Sequence, residues 1–312
     1  MKMSMSGARR VVAVFAAAAV IAVCGGEAFA DDGVKFSTDF NFVAATTLEM
    51  KAKLIESARV PFLVGDGPLF SGNNLTFTGI VGVSPVSVTG HVQAHWTPIA
   101  VLEFYGEAGL GTGWNLPIAT GLALTNRGSD GLSSFEKQDF GGIVWNAKAG
   151  GTFQFDFAAV FPGDWNHVVV QSSHEMKYRA YTGAAAGQAW CYEADDGDNR
   201  NGWSYYGNVF LGYQMPIFLD TVGILAEDEM YLYNVTGGDV WGDSLPRYTF
   251  GPLLNFKLSD RLSIAALVQA RTRRTYTSGT EKTYYEDRVV DQTNPLHIEF
   301  YRAALNLTYH IN

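Results

Sequence analysis

The stretch VWNAKAGGTFQFDFAAVF, residues 144–161, sorts its side chains into two sets almost without error. Odd positions hold Trp145, Ala147, Ala149, Gly151, Phe153, Phe155, Phe157, Ala159 and Phe161, while even positions include Asn146, Lys148, Thr152, Gln154 and Asp156. A period of two belongs to a β-strand, whose successive side chains point to opposite faces. One face here is a row of phenylalanines, and the other carries ionisable groups over most of the same length. That combination predicts a strand with lipid on one side and a polar lumen on the other.

The N-terminus predicts export. Lys2, Arg9 and Arg10 precede an apolar run from Val11 to Val23, and Ala28-Phe29-Ala30 stands before Asp31-Asp32. This is the layout of a cleaved secretory leader over residues 1–30, which leaves 31–312 as one domain. Ile21-Ala22-Val23-Cys24 loosely resembles a lipoprotein cleavage box, but Val23 is bulky for it and Ala-Phe-Ala follows closely. With cleavage after Ala30, Cys191 is the one cysteine left, so no intramolecular disulfide can form. No later segment offers the ~18 continuous apolar residues of a membrane helix, so an exported protein that spans lipid must do so as a closed barrel. The whole chain carries a net charge of −9. The leader is basic and the remainder is more acidic still, which argues against nucleic acid as a partner.

Similar alternation recurs along the chain. From Phe36 to Phe62 apolar residues fall at even positions (Phe36, Phe40, Phe42, Leu48, Met50, Leu54, Val60, Phe62), opposite Lys35, Asp39, Asn41, Glu49, Lys51, Lys53 and Arg59. A first strand is expected inside this run, although Thr47 to Val60 can also be drawn as an amphipathic helix. From Leu75 to Trp96 the parity switches near Ser84-Pro85, which a one-residue bulge would absorb. Further strands are expected over 102–114, 144–161, 168–180, 203–215, 222–232, 248–258, 262–273 and 301–311. The expected architecture is all-β, an antiparallel up-and-down transmembrane barrel of about ten strands, with eight or twelve also open. His174 and Asp228 fall on the apolar face as exceptions.

Short turns at Pro162-Gly163-Asp164, Pro216-Ile217 and Ser259-Asp260 lie at one end of this arrangement. Long polar loops, Asn115 to Gly142, Thr182 to Gly202 and Thr277 to Asn294, lie at the other and are expected to face outside the cell. Trp96, Trp114, Trp145, Trp165, Trp203 and Trp241 sit at or near expected strand ends, as interfacial girdles require. A soluble lipocalin-like barrel also alternates, but it lacks this feature and would have to enclose the phenylalanine rows.

By leader, alternation, loop asymmetry and an aromatic-apolar last strand, the chain resembles bacterial outer-membrane β-barrel proteins as a class. The resemblance implies outer-membrane lipid and the barrel-assembly machinery as partners, with small solutes or an extracellular ligand as further candidates. In that class the last residue is usually aromatic and is read during insertion. Tyr309 and Ile311 fit the alternation here, but Asn312 ends the chain.

Counting up from the tight turns places Glu227 and Glu229 near the height of Arg271, Arg273 and Arg302, with Thr249 and Gly251 inward between them. Next-but-one strands lie ~9.5 Å apart, a gap two long side chains can close. An ion-paired belt across the lumen is therefore expected, joined by Glu175, Lys177 and Arg179, with separate solvated charges as the alternative. The function expected is a narrow channel or envelope structural barrel; the alternative is a surface binding or adhesin barrel acting through its loops. Chemistry is expected to be absent, and no cofactor or metal motif is evident. Outer-membrane proteases of omptin type resemble this chain in strand number and pair two aspartates with Asp-x-His, which does not occur; His297 with Glu299 is the nearest cluster. Barrel phospholipases and deacylases resemble one another in a Ser–His pair on the lipid-facing wall, for which Ser172 and His174 are the candidate. The Asp195-Asp196-Gly197-Asp198-Asn199 run is open to a cation reading, but its spacing is not that of an EF-hand.

Overall fold

In the computed structural model the period-two alternation becomes β-strand, except that the run expected over 144–161 stops at Asp156, whose side chain caps a 3₁₀ turn over Phe157–Ala159. The described residues are 33–129, 133–193, 195, 197, 199–232, 245–284 and 287–312. The leader, Cys24 and Trp241 lie outside them. In chain order the barrel strands are β1 (Lys35–Ala45), β2 (Met50–Pro61), β3 (Asn74–Ser84), β4 (Ser87–Ile99), β5 (Leu102–Gly113), β8 (Val144–Asp156) and β9 (His167–Tyr181). They continue with β11 (Gly202–Gln214), β12 (Leu219–Tyr231), β13 (Arg247–Lys257), β14 (Leu262–Arg274) and β17 (Leu296–His310). Each pairs antiparallel with its neighbours, and β1 closes the ring on β17 through Asp39↔His310 to Ala45↔Ala304.

The barrel has twelve strands rather than about ten. Both additional strands come from runs that sequence alternation reads as one. The run from Phe36 to Phe62 is the β1–β2 hairpin, in register from Lys35↔Arg59 to Ala44↔Met50, and no helix forms over Thr47 to Val60. The parity switch at Ser84-Pro85 is a reversal, since Ser84 pairs with Ser87 across the β3–β4 turn. A hairpin that begins and ends on the same face preserves or inverts parity much as a bulge does, so the pattern alone cannot separate them.

Barrel strands run from 11 residues in β1 to 15 in β9 and β17, at or above the ~9–11 needed to cross a bilayer. Their outer wall exposes Phe77, Val92, Phe153, Leu211, Ile224 and Leu305. Trp145 stacks on Tyr178, and Tyr178 meets Trp203 edge-on, forming an aromatic row near the end that carries the long loops. At the opposite end, Trp96 lies against Phe104, and Tyr213 donates to the Trp165 carbonyl at 2.7 Å.

The long loops carry structure of their own. β6 (Leu122–Arg127) pairs with β7 (Ser133–Lys137) on one side and with β10 (Trp190–Tyr192) on the other. This three-stranded sheet holds the buried apolar core: Leu122, Leu124, Trp190 and Tyr192 pack with Val144 and Tyr181 of the barrel. A second small pair, β15 (Tyr276–Ser278) with β16 (Val289–Val290), lies in the last long loop.

Candidate functional site

The β6–β7–β10 sheet folds inward across the mouth. Tyr192 places its hydroxyl against the inner face of β5, donating to the Thr112 carbonyl at 3.2 Å. Gly111 is needed for that approach, because a Cβ there would lie 2.3 Å from the hydroxyl oxygen. Burial, followed by the charge of Glu193, pushes the Tyr192 hydroxyl up from its ordinary value. Glu193 continues along the same wall to β4 and β2. Its two carboxylate oxygens accept from Lys51 Nζ of β2 at 2.9 and 3.0 Å, and Oε1 also accepts from the Ser87 hydroxyl of β4. Glu193 holds φ at +58°, a left-handed conformation that side chains other than glycine adopt at a cost. Arg179 of β9 lies over the Trp190 and Tyr192 rings, 5.1 and 5.8 Å from their centroids.

The last long loop covers this sheet from outside. Thr125 donates to the Lys282 carbonyl at 2.5 Å, Arg200 to the Thr283 carbonyl at 3.0 Å, and Arg127 pairs with Asp287 at 2.7 Å. Three loops that are separate in sequence thus lock together over one opening.

Below the mouth, charged residues line the inner face in two arcs. On the first, Glu175 takes Lys148 at 3.1 Å and the Tyr105 hydroxyl at 2.8 Å, and Lys148 reaches Glu107 at 3.4 Å. Glu107 further engages His91 Nδ1 at 2.9 Å and Gln93 Nε2 at 2.5 Å. On the second, Glu229 takes Arg247 and, at 3.7 Å, Lys177. Glu227 accepts from Tyr206 at 2.6 Å and Gln269 at 2.5 Å; Gln269 in turn accepts from Arg302 at 2.9 Å, and Arg302 pairs with Glu49 at 2.9 Å. Arg271 and Arg273 meet on Glu299 at 2.9 and 3.2 Å, and Arg273 also holds Glu281 at 3.1 Å. Arg179 lies higher, bonded to Asn199 at 2.6 Å and 3.6 Å from Asp195.

All eight residues expected in the belt thus face charged or polar partners on the inside. Glu227 and Glu229 are expected to meet Arg271 and Arg273 across β13, and further contacts of these groups run through Arg247, Gln269 and Glu299. Gln269, Lys148, Glu107 and Glu49 lie at positions that parity turns inward, whereas Arg247 and Glu299 precede their expected strands, and Glu299 is turned inward by the irregularity at Gln269/Ala270. The inner face of β11–β14 also carries an apolar patch on the side of the short turns. There Phe210 and Leu225 pair across strands, as do Leu253 and Leu267, and Gly212 and Gly223 leave room for the Phe210 ring.

The other candidates resolve individually. His297 bonds Thr275 at 3.1 Å, while Glu299 is engaged by the two arginines. The Asp195 carboxylate receives the backbone N–H groups of Tyr192 and Gly197 at 3.0 and 3.1 Å and the Asn199 amide at 2.6 Å. Asp196 and Asp198 lie outside the described residues, among which no cluster of three metal-ligating side chains occurs. On the outer wall, Ser172 Oγ lies 3.0 Å from His174 Nε2, and His174 Nδ1 lies 2.6 Å from the Tyr205 hydroxyl. Tyr205 comes from β11, a partner that strand counting did not supply. Asp228 of β12 stands beside it across Gly207, with both side chains crowding the space a Cβ there would take.

No family model matches the chain, and no curated protein matches it in sequence. Among solved structures it is similar to the KdgM porin in complex with disordered oligogalacturonate, at 14% identity over 88% of this chain and 99% of that one, with a TM-score of 0.35. It is also similar to the NanC porin, at 6% identity over 87% and 97% of the two chains, TM-score 0.36. A third is the outer membrane protein Omp33 of Acinetobacter baumannii, at 9% identity over 89% and 98%, TM-score 0.35. At such scores the likeness carries no argument about the lumen, whose reading rests on its side chains.

Proposed function

We propose that the protein is an outer-membrane barrel exported through its N-terminal leader, and that its lumen is a narrow channel held shut at the mouth by its own loops. The exposed apolar wall and aromatic rows support a lipid setting. The observation that carries the channel reading is the attachment of Glu193, on the inward-folded sheet rooted after β9, to Ser87 and Lys51 on β4 and β2, three and five strands further round the ring. A twelve-stranded lumen is wider than an eight-stranded one, which side chains already fill, but a folded sheet plus two charged arcs leaves little open water in it. Planar-bilayer recording of the purified barrel is expected to give small or no steady current. Large, continuous currents from the unmodified protein would sink the reading in favour of general diffusion. Envelope structure without conduction and binding through the outer loops are the neighbouring alternatives, and the second needs the interlocked loops to present a rigid outer surface.

The Ser172–His174–Tyr205 chain on the outer wall favours one further reading, a lipid acyl hydrolase. His174 is placed to take the serine proton through Nε2 while Tyr205 fixes its ring through Nδ1. Incubation with a long-chain alkyl fluorophosphonate and peptide mapping tests it. Labelling of Ser172 that is lost in His174→Ala supports a nucleophile; an unlabelled Ser172 in folded barrel rules it out.

A further inference from the structure

Beneath the inward sheet, between it and β2, lies a cavity of about 280 Å³. It is lined by Lys51, Lys53 and Arg179 together with Glu49, Glu193 and Asp195. Five of these six charges have a counter-ion: Lys51 pairs with Glu193, Arg179 lies 3.6 Å from Asp195, and Glu49 pairs with Arg302 from β17. The sixth, Lys53, has no hydrogen bond or ion pair among the described residues, although it projects from β2 on the same inner face as Lys51. A lysine ammonium in such a place keeps a costly desolvated charge unless an anion joins it. Lys53 thus lacks a direct partner, with the Glu193 and Glu107 carboxylates acting on it only through space, and the cavity offers a rim of donors.

The residue beside it is already strained. Among the described residues Glu193 is one of three other than glycine with positive φ, and it alone among them holds an ion pair to the barrel wall. Its carboxylate occupies Lys51 symmetrically, so another carboxylate of similar shape can take the same donors and let the backbone relax. A cavity of this size lies below the ~300–1,000 Å³ usual for drug-sized ligands and suits a small organic acid.

We propose that this cavity is a binding site for a small hydrophilic carboxylate, which sits between Lys51 and Lys53, displaces the Glu193 carboxylate and so releases the sheet from the β2–β4 wall. This rests on the proposed closed channel for its consequence, but not for the binding itself. The exchange is like for like in charge at Lys51, and it adds a direct counter-ion at Lys53 that the closed state lacks. Mass action then couples the two: a solute that binds only the released state opens the mouth as its concentration rises.

The test uses the full mature barrel in detergent and in planar bilayers, with gluconate as the probe and sorbitol as its uncharged counterpart. Barrel folding of each variant is checked by heat-modifiable migration on gels. Calorimetry is expected to register gluconate binding and no sorbitol binding, with affinity falling at least tenfold in Lys53→Met. In bilayers, gluconate is expected to raise the open fraction in unmodified protein, and Glu193→Gln is expected to need less of it. Equal affinity for gluconate in unmodified and Lys53→Met protein, or no binding to either, overturns the site. Binding that depends on Lys53 but leaves a steadily open current unchanged supports the site and overturns the closed-channel reading instead.

Discussion

At the outer mouth the lumen is closed by packing: Trp190 is fully buried, Leu122 beside it likewise, and Tyr192 and Tyr181 complete an apolar cluster. Below it the same lumen is lined by charge, with Glu107, Lys148 and Glu175 on one side and Glu227, Gln269 and Arg302 on the other. The two regions answer perturbation differently. A packed cluster excludes water and is lost as a unit, because each side chain fills space that its neighbours need. The ionic lattice, although its Glu107 and Glu175 side chains are only 8% exposed, is built of separate pairs, so losing one disturbs its own partners rather than the whole. Under the proposed function, the mouth is where opening would be decided and the lattice below where a passing ion would be selected.

The largest effect is expected from Trp190→Ala. Truncating a buried tryptophan costs about 3–5 kcal/mol, here concentrated in an inward sheet that rests on few other apolar contacts. The expected outcome is a barrel that still migrates as folded but conducts steadily and is cleaved by protease within 182–201. A closed, protease-resistant variant would break the distinction between mouth and lattice. Lys51→Met comes next. It leaves the Glu193 carboxylate with Ser87 alone and is expected to raise the open fraction severalfold in single-channel records, with the sheet still folded. The double change Arg271→Ala with Arg273→Ala ranks third. It removes the partners of Glu299 and one partner of Glu281. Because Arg271 and Glu281 are mostly buried, the carboxylates left behind should cost about 1–3 kcal/mol, less than the loss of Trp190. Current through any open state should rise, and reversal potentials in a salt gradient should move toward cation preference, since uncompensated carboxylates remain. Unchanged selectivity would separate these arginines from the permeation path.

Legibility in the sequence follows the same division. The barrel wall was readable because lipid and lumen impose opposite chemistry on adjacent residues, as at Phe153 against Thr152. The number of strands was less so: the Ser84-Pro85 reversal and the turn after Ala45 are too short to interrupt the alternation, and each hid a strand. The inward positions of Glu175, Glu227 and Arg302 came from parity, but their partners depend on strand tilt and stagger, which sequence does not state. The inward sheet was not legible. β6 and β10 pair at Leu124 and Trp190, 190 − 124 = 66 residues apart, and nothing local in a Gly- and Asp-rich loop announces that pairing. Trp190 and Tyr192 were visible only as aromatics in a polar segment.

The smallest expected effect in the native protein is at Cys191, and its smallness reports on the mouth. The thiol lies in β10, 3% exposed, with its backbone paired to Ala123. Burial, and then the charge of Asp195, push it up from 9.0 to about 12. The thiolate is the reactive form, so a maleimide at neutral pH finds almost none while the sheet is seated. Native protein is expected to label slowly or not at all, and Trp190→Ala to label readily. The sign of the pH dependence follows from linkage. The protonated thiol's preference for the closed mouth is fully present below pH 9, where Cys191 stays protonated both seated and released. Above it the released form loses its proton first, so the seated state weakens by up to tenfold per pH unit until about pH 12. Labelling that rises with pH faster than the thiolate fraction of a free cysteine would fit a mouth that opens as it ionises. Prompt labelling of the unmodified protein at pH 7 would mean that the sheet is already released, and that the packed mouth and the ionic lattice below it do not differ in the way their contacts imply.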